Sequence, residues 1–363
     1  MKVVIRTDAS LKIGTGHVMR CLTLAEALKK EGADVEFICR SHEGHLIERI
    51  RQQVFETYIL PDLCGTKIKV SDEEETLYGR YWLGSSQQQD AELCRPLLEK
   101  TKPDWLIVDH YGIDKTWQTE LAPYYGKLMV IDDLANRRHQ CDLLLDQTYG
   151  RQVEDYTGLV PQQAQLLLGS EYALLRPEFA EWRGYSLQRR RSPEFKKLLI
   201  TMGGVDPDNI TGEVLAALGD SALPKEIDIN VVMGASAPHL DYVKRQAELM
   251  PYKTDVKVNV SNMAEMMANT DLAIGAAGTT TWERCCLGVP SLMVVLAANQ
   301  REIADSLSVS IAAIVIDRQQ IRKGVTLIES MSKNNLLSLS KNAAKIVDGR
   351  GVDHVIQAIQ GGG

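Results

Sequence analysis

The stretch with the greatest chemical promise is DASLKIGTGHVMR, residues 8–20, directly after a short β-branched run. Gly14 and Gly16 flank Thr15 and let the backbone approach a ligand closely. The helix that begins at about His17 aims its free N–H groups into the same turn, which suits an anion. The helix dipole disfavours an imidazolium at position 17, so the ring is expected to be neutral near pH 7 and able to serve as a general base. The alternative is that His17 caps the helix or packs between strand and helix. Its place on the carboxyl-end turn of the first strand is where an open α/β sheet binds its ligands. NAD fits poorly. The G-x-G-x-x-G pattern needs a glycine where Met19 stands, and the second strand ends at Cys39-Arg40 without a ribose-binding acid.

Two further strand ends carry acids. Asp109-His110-Tyr111-Gly112 closes one and Asp132-Asp133 the next. Acids such as Asp8 and Asp109, facing a cleft, would orient a sugar or a water. No third ligand stands at useful spacing from Asp132-Asp133, and His42 and His45 read as surface residues, so neither a metal nor a cofactor is expected. Farther along, TMGGVDPDN puts Gly203 and Gly204 after a strand, able to offer N–H groups to a diphosphate. Asp206 and Asp208 would repel phosphate, and turn or N-cap chemistry suits them better. The segment Asn259–Gln300 is the richest. Gly275, Gly278 and Thr279–Thr281 follow a strand and open a helix, and Glu283 lies in its first turn. Glu283 either complements the helix dipole or accepts hydrogen bonds from both hydroxyls of a ribose.

These turns need strands and helices to hold them. Lys2–Thr7, Asp34–Arg40, Thr57–Leu60, Trp105–Asp109, Leu128–Asp132 and Leu143–Asp146 read as strands with helices between most of them. A second alternation starts at Lys197–Thr201. The expected fold is α/β, two Rossmann-like domains whose parallel sheets face an interdomain cleft. The domains are expected at 1–185 for sugar and catalysis and 195–340 for the nucleotide, with a helical tail at 341–363. The polar, basic stretch Arg183–Glu194 reads as a linker with Arg189–Arg191 solvated, and residues 61–90 read as an inserted loop.

Composition narrows the function. The chain has 363 residues, enough for two domains, and carries a formal net charge of −7. That balance argues against nucleic-acid binding. No run is long and apolar enough for a membrane span, and the N-terminal apolar run is too short for a signal peptide. Seven scattered cysteines without a CxxC suit reduced thiols in a cytoplasm. A monomer is the default expectation.

The segments NMAEMMANTDLAIGAAGTTTWE and GVPSLMV resemble the donor-nucleotide region of the peptidoglycan N-acetylglucosaminyltransferases, which have the glycosyltransferase-B fold. That resemblance implies that Met263 contacts uracil through its backbone, that Glu283 holds the ribose and that the glycine-rich turns hold the diphosphate. IRTDASLKIGTGHVMRC, IVDHYGI, IDDLA, YALLRPEF and MGGVDPDN resemble the UDP-2,4-diacetamido-2,4,6-trideoxy-β-L-altropyranose hydrolases of pseudaminic acid synthesis and a spore-coat polysaccharide protein family. The resemblance implies a UDP-sugar substrate, His17 as catalytic base and inversion at the anomeric carbon. It leaves Asp8 or Asp109 to stabilise the transition state or orient water. It gives a substrate-binding set of Gly14, Thr15, Gly16, Tyr111, Arg176, Gly203, Gly204, Met263, Gly278, Thr279, Glu283 and Asn299. Arg176 would contact phosphate or sugar, with a salt bridge as its alternative role. A glycosyltransferase and a non-catalytic nucleotide-sugar binding protein are the competing readings.

Overall fold

A computed structural model describes residues 1–62 and 80–361. Most of the expected inserted loop, residues 63–79, lies outside them. The chain divides into two units, Met1–Leu174 with the segment from Gly351, and Leu175–Arg350.

The first unit is built on seven parallel strands: β1 (Lys2–Thr7), β2 (Asp34–Arg40), β3 (Glu56–Leu60), β4 (Trp105–Asp109), β5 (Lys127–Ile131), β6 (Leu143–Asp146) and β7 (Gln165–Leu168). Their order is β3-β2-β1-β4-β5-β6-β7, so the winding reverses between β1 and β4. The strands are apolar on both faces, as sheets with two helical layers must be. Successive residues point to opposite sides. Val3 and Ile5, Ile107, and Met129 and Ile131 join one core with α1 (Gly16–Lys30). Val4, Leu106 and Val108, and Leu128 and Val130 join a separate core beneath α3 (Gln87–Thr101) and α4 (Lys115–Leu121). The short α2 (Ile47–Gln52) adds Ile47 and Ile50 to the first core. Helix α1 keeps Val18, Cys21, Leu22, Ala25 and Leu28 inward, places Lys29 and Lys30 at its carboxyl end, and stops at Gly32 with φ +83°. Strand β7 has no counterpart among the strands expected from sequence.

The second unit has six parallel strands, β8 (Lys197–Thr201), β9 (Asp228–Met233), β10 (Lys253–Val258), β11 (Leu272–Ala276), β12 (Ser291–Val295) and β13 (Ile314–Asp317). Their order is β10-β9-β8-β11-β12-β13, with the reversal between β8 and β11. Helices α5 (Pro177–Arg189), α6 (Ile210–Gly219), α7 (Leu240–Glu248), α8 (Met263–Ala268), α9 (Thr280–Cys286), α10 (Arg301–Val309), α11 (Ile321–Glu329) and α12 (Lys333–Ala343) belong to it.

Two expectations about organisation change. Arg183–Glu194 is not a linker. Helix α5 runs through Arg189, and Arg190 is 4% exposed, its guanidinium donating to the carbonyls of Thr270 at 2.7 Å and Met267 at 2.9 Å. Three arginines in a row look solvated by composition, but unsatisfied backbone carbonyls give Arg190 a buried role. Nor is the tail a separate part. Helix α13 (Gly351–Gly361) returns to the first unit, where Val355, Ile356 and Ile359 join the core of α1.

Candidate active site

Asp109 is the last residue of β4 and pairs in register with Thr7, so Asp8 and Asp109 stand side by side at the first unit's reversal point. Open α/β sheets bind ligands outside that point. His17, the second residue of α1, donates from Nδ1 to Asp109 Oδ1 at 2.6 Å. Arg20 follows one helical turn later on the same face. It clamps the same carboxylate from Nε at 2.6 Å and Nη2 at 2.7 Å, and reaches Asp133 Oδ2 from Nη1 at 2.6 Å. The Tyr111 hydroxyl donates to that Asp133 oxygen at 3.0 Å. The Tyr111 ring meets His17 edge-on at 4.5 Å, and Trp82 backs Tyr111 at 5.6 Å.

This arrangement sets charge and tautomer. Burial alone would raise Asp109, but Arg20 and His17 override it and hold the carboxyl well below the usual range. A permanently ionised Asp109 keeps the proton on Nδ1 and leaves Nε2 as the acceptor. That is the geometry of an oriented general base. The surrounding turn is braced locally: Ser10 Oγ accepts from the N–H groups of Lys12 and Ile13, and Gly14 adopts φ +79°. Gly14, Thr15 and Gly16 are half-buried, above the buried His17.

Asp8 takes a different part. It is 1% exposed, pairs with Arg6 Nη1 at 2.7 Å and accepts from the Arg40 N–H at 2.6 Å. His110 Nε2 and His42 Nε2 approach its other oxygen at 3.4 and 3.7 Å. His110 Nδ1 accepts from the Gly112 N–H at 2.9 Å, which fixes the proton on Nε2. Burial lowers the His110 pKa, so the ring is neutral. Asp8 and Asp109, expected as acids at a cleft, are both buried, and both orient protein groups. His42 is likewise buried, not a surface residue. Composition does not single out Arg20; its i+3 spacing from His17 is the sequence signal that places it on the same helix face.

The second unit's reversal point is built from other chemistry. Gly203 takes φ +97°, and Gly204 O accepts from Gly234 N–H at 2.9 Å. A Cβ at Gly234 would lie 2.3 Å from that oxygen, so only glycine fits. Asp206 caps α6, accepting from Ile210 and Thr211 N–H at 2.9 Å each. Those N–H groups are therefore occupied, as the turn chemistry of Asp206 suggested. Gly278, Thr279 and Thr280 remain half-buried, and a Cβ at Gly278 would meet nothing within 4 Å. Glu283 lies 3.7 Å from Arg176, whose other nitrogen pairs with Glu178 at 2.8 Å. Burial lifts Glu283 to about 7, against the pull of Arg176 and Arg284. Met263 opens α8 and is 9% exposed. The side chain of Asn299 is outside the described residues. Among the described residues no group of three or more His, Cys, Asp or Glu is placed to hold a metal ion.

Residues 198–352 match the Glycosyltransferase family 28 C-terminal domain. A UDP-2,4-diacetamido-2,4,6-trideoxy-beta-L-altropyranose hydrolase of Campylobacter jejuni is 29% identical over 85% of this chain and 96% of its own length. The spore coat polysaccharide biosynthesis protein SpsG of Bacillus subtilis is 28% identical over 99% of this chain and 98% of its own. An uncharacterized protein of Methanocaldococcus jannaschii is 28% identical over 84% of this chain, which spans only 58% of that relative's length. Among solved structures, MurG of Acinetobacter baumannii superposes with a TM-score of 0.65 at 15% identity, covering 99% of both chains. The chain is thus similar to the altropyranose hydrolase and to SpsG over most of its length. Its fold is the glycosyltransferase-B type.

The family 28 match begins one residue into β8 and runs two residues into α13, so it takes in Gly203, Gly278 and Glu283. The His17–Asp109 pair lies outside it, in the part also covered by SpsG, which matches 99% of this chain. The chain is similar to nucleotide-sugar-related proteins, and its first unit holds a histidine against an ionised carboxylate.

Proposed function

We propose that the protein hydrolyses a UDP-linked diacetamido-trideoxyhexose at its anomeric C–O bond, releasing UDP and free sugar with inversion, in nonulosonate synthesis of the pseudaminic acid type. The supporting observation is the His17–Asp109–Arg20 arrangement. Binding alone does not require a histidine whose tautomer is fixed by a permanently charged acid. Water attacks the anomeric carbon while the C1–O bond to the β-phosphate breaks. His17 Nε2 accepts the water proton, Asp109 keeps Nδ1–H in place, and the bonding pair leaves with UDP. Backbone N–H groups of the glycine-rich turns in the second unit take up the diphosphate charge. Glu283 accepts from the ribose. No second copy of the chain is needed. The six cysteines among the described residues are free and buried, which suits a reducing compartment, so we assign the reaction to the cytoplasm. No described helix is long and apolar enough to cross a membrane.

The test is turnover of the UDP-sugar in ¹⁸O-water. Label in the sugar supports attack at carbon. Label in UDP places the attack at phosphorus and sinks the proposal. Transfer only to an added acceptor, with none to water, would make the chain a glycosyltransferase.

A further inference from the structure

The buried arginines at the first unit's reversal point face carboxylates: Arg6 pairs with Asp8 and Asp90, Arg20 with Asp109 and Asp133, Arg40 with Asp90. Arg284 in the second unit differs. It is 1% exposed, and among the described residues no carboxylate comes within ion-pair distance of it. The neighbouring Glu283 turns to Arg176 instead. The guanidinium lies against the turn that links β11 to α9. Nη2 donates to Ala276 O at 2.9 Å and Thr281 Oγ1 at 3.1 Å, and Nη1 to Thr280 Oγ1 at 3.2 Å. Its buried Nε has no partner. The group fits because residue 275 is glycine: a Cβ there would lie 2.6 Å from Nη1. Burial pulls the Arg284 pKa down to about 10, so the side chain still carries its charge at neutral pH. A buried charge whose nearest acid, Glu283, is drawn to Arg176 and is not within ion-pair reach is costly, and an anion close by relieves that cost.

We propose that Arg284 is the buried counter-charge for the diphosphate of the bound nucleotide, acting through the turn it braces. The inference rests on the UDP reading above. Arg284 is a positioning residue. It holds Ala276–Thr281 in shape from beneath and biases that turn toward anions. Thr280 and Thr281, their hydroxyls engaged by Arg284, are fixed in orientation, and the backbone N–H groups above them face a field of the right sign. A low-dielectric surrounding makes such a charge felt more strongly than a solvent-exposed lysine would be.

The experiment is calorimetric titration of uridine, UMP and UDP into the full chain and its Arg284→Gln variant. The expected loss is graded by ligand charge: on the order of tenfold for UDP, less for UMP and under about twofold for uridine. Because the charge is buried, the loss persists in 1 M salt. Equal losses for all three ligands would reduce Arg284 to a brace and overturn the proposal, as would no loss at all. If Arg284→Gln does not fold, Arg284→Lys keeps the charge without the guanidinium fork. It should retain the wild-type preference for UDP over uridine, and loss of that preference also overturns the proposal. If the wild type binds neither UDP nor uridine, the UDP reading itself falls and this inference with it. If the wild type binds UDP and the variants show no grading, only this inference falls.

Discussion

At the carboxyl ends of β1 and β4, ionisable side chains crowd against one another: His17, Arg20, Asp109 and Asp133 in one chain of contacts, Asp8 with His110 and Arg6 in another. At the carboxyl ends of β8 and β11, glycines and threonines take those places, around the buried Arg284. The topology is the same, since both sheets reverse their winding at this point. The difference shows that the fold supplies only the place. Acids at the first point can fix a histidine tautomer, whereas at the second the glycine-rich turn leaves N–H groups accessible, with Asp206 engaged by the α6 cap and Glu283 turned to Arg176.

Mutations on either side should separate these two jobs. The largest effect is expected for His17→Phe. Turnover should fall by about two or more orders of magnitude, the range of general-base effects, with UDP affinity unchanged by calorimetry. A parallel loss of UDP affinity would erase the division between the two regions. Asp109→Asn comes next. It leaves His17 free to adopt the wrong tautomer and leaves Arg20 short of charge, so kcat should fall on the order of a hundredfold. The melting temperature should fall as well, because a buried ion pair loses one partner. Asp109 is held below its ordinary range, so its contribution to stability is complete above the unfolded carboxyl value of about 4. Wild type and variant should therefore converge in stability only as pH drops below that value.

A smaller, sign-specific effect is expected at Glu283. Its folded pKa lies near 7, above the ordinary value of 4.5. The folded chain then holds a proton that the unfolded chain releases, and stability falls as pH rises from 4.5 through about 7. Glu283→Gln removes that penalty. Its melting temperature relative to wild type should rise between pH 5 and pH 8, while UDP affinity drops about tenfold for the lost ribose contact. A flat difference across that range would make Glu283 an ordinary carboxyl. The smallest effect is Tyr111→Phe. It deletes the 3.0 Å bond to Asp133 but keeps the ring edge against His17, so kcat should change by only a few-fold. A loss as large as that of His17→Phe would make the Tyr111 hydroxyl a participant in the reaction.

The sequence revealed the skeleton of this arrangement. Periodic apolar runs located all but one strand, and glycines after strands located both reversal points. What it hid was partnership. Asp109 and His17 are 92 residues apart, and only the β1–β4 register brings them together. Asp8 carries the same formal charge as Asp109 and sits at an equivalent strand end, yet Arg6 and the Arg40 N–H claim it. Arg190 looked like a solvated linker residue because carbonyl acceptors leave no trace in composition. Strand β7 escaped because its burial alternates weakly over four residues.

The return of α13 to the first unit has a consequence for synthesis. Gly351 packs so closely on the backbone of Tyr172 and Ala173 that a Cβ would stand 2.3 Å from a carbonyl oxygen, and three apolar residues behind it complete the α1 layer. On the ribosome, that closing piece emerges only after the entire second unit. The nascent first unit must wait with an apolar seam unsealed, so the chain tethers the maturation of the half that carries His17 and Asp109 to the prior appearance of the half that carries Arg284.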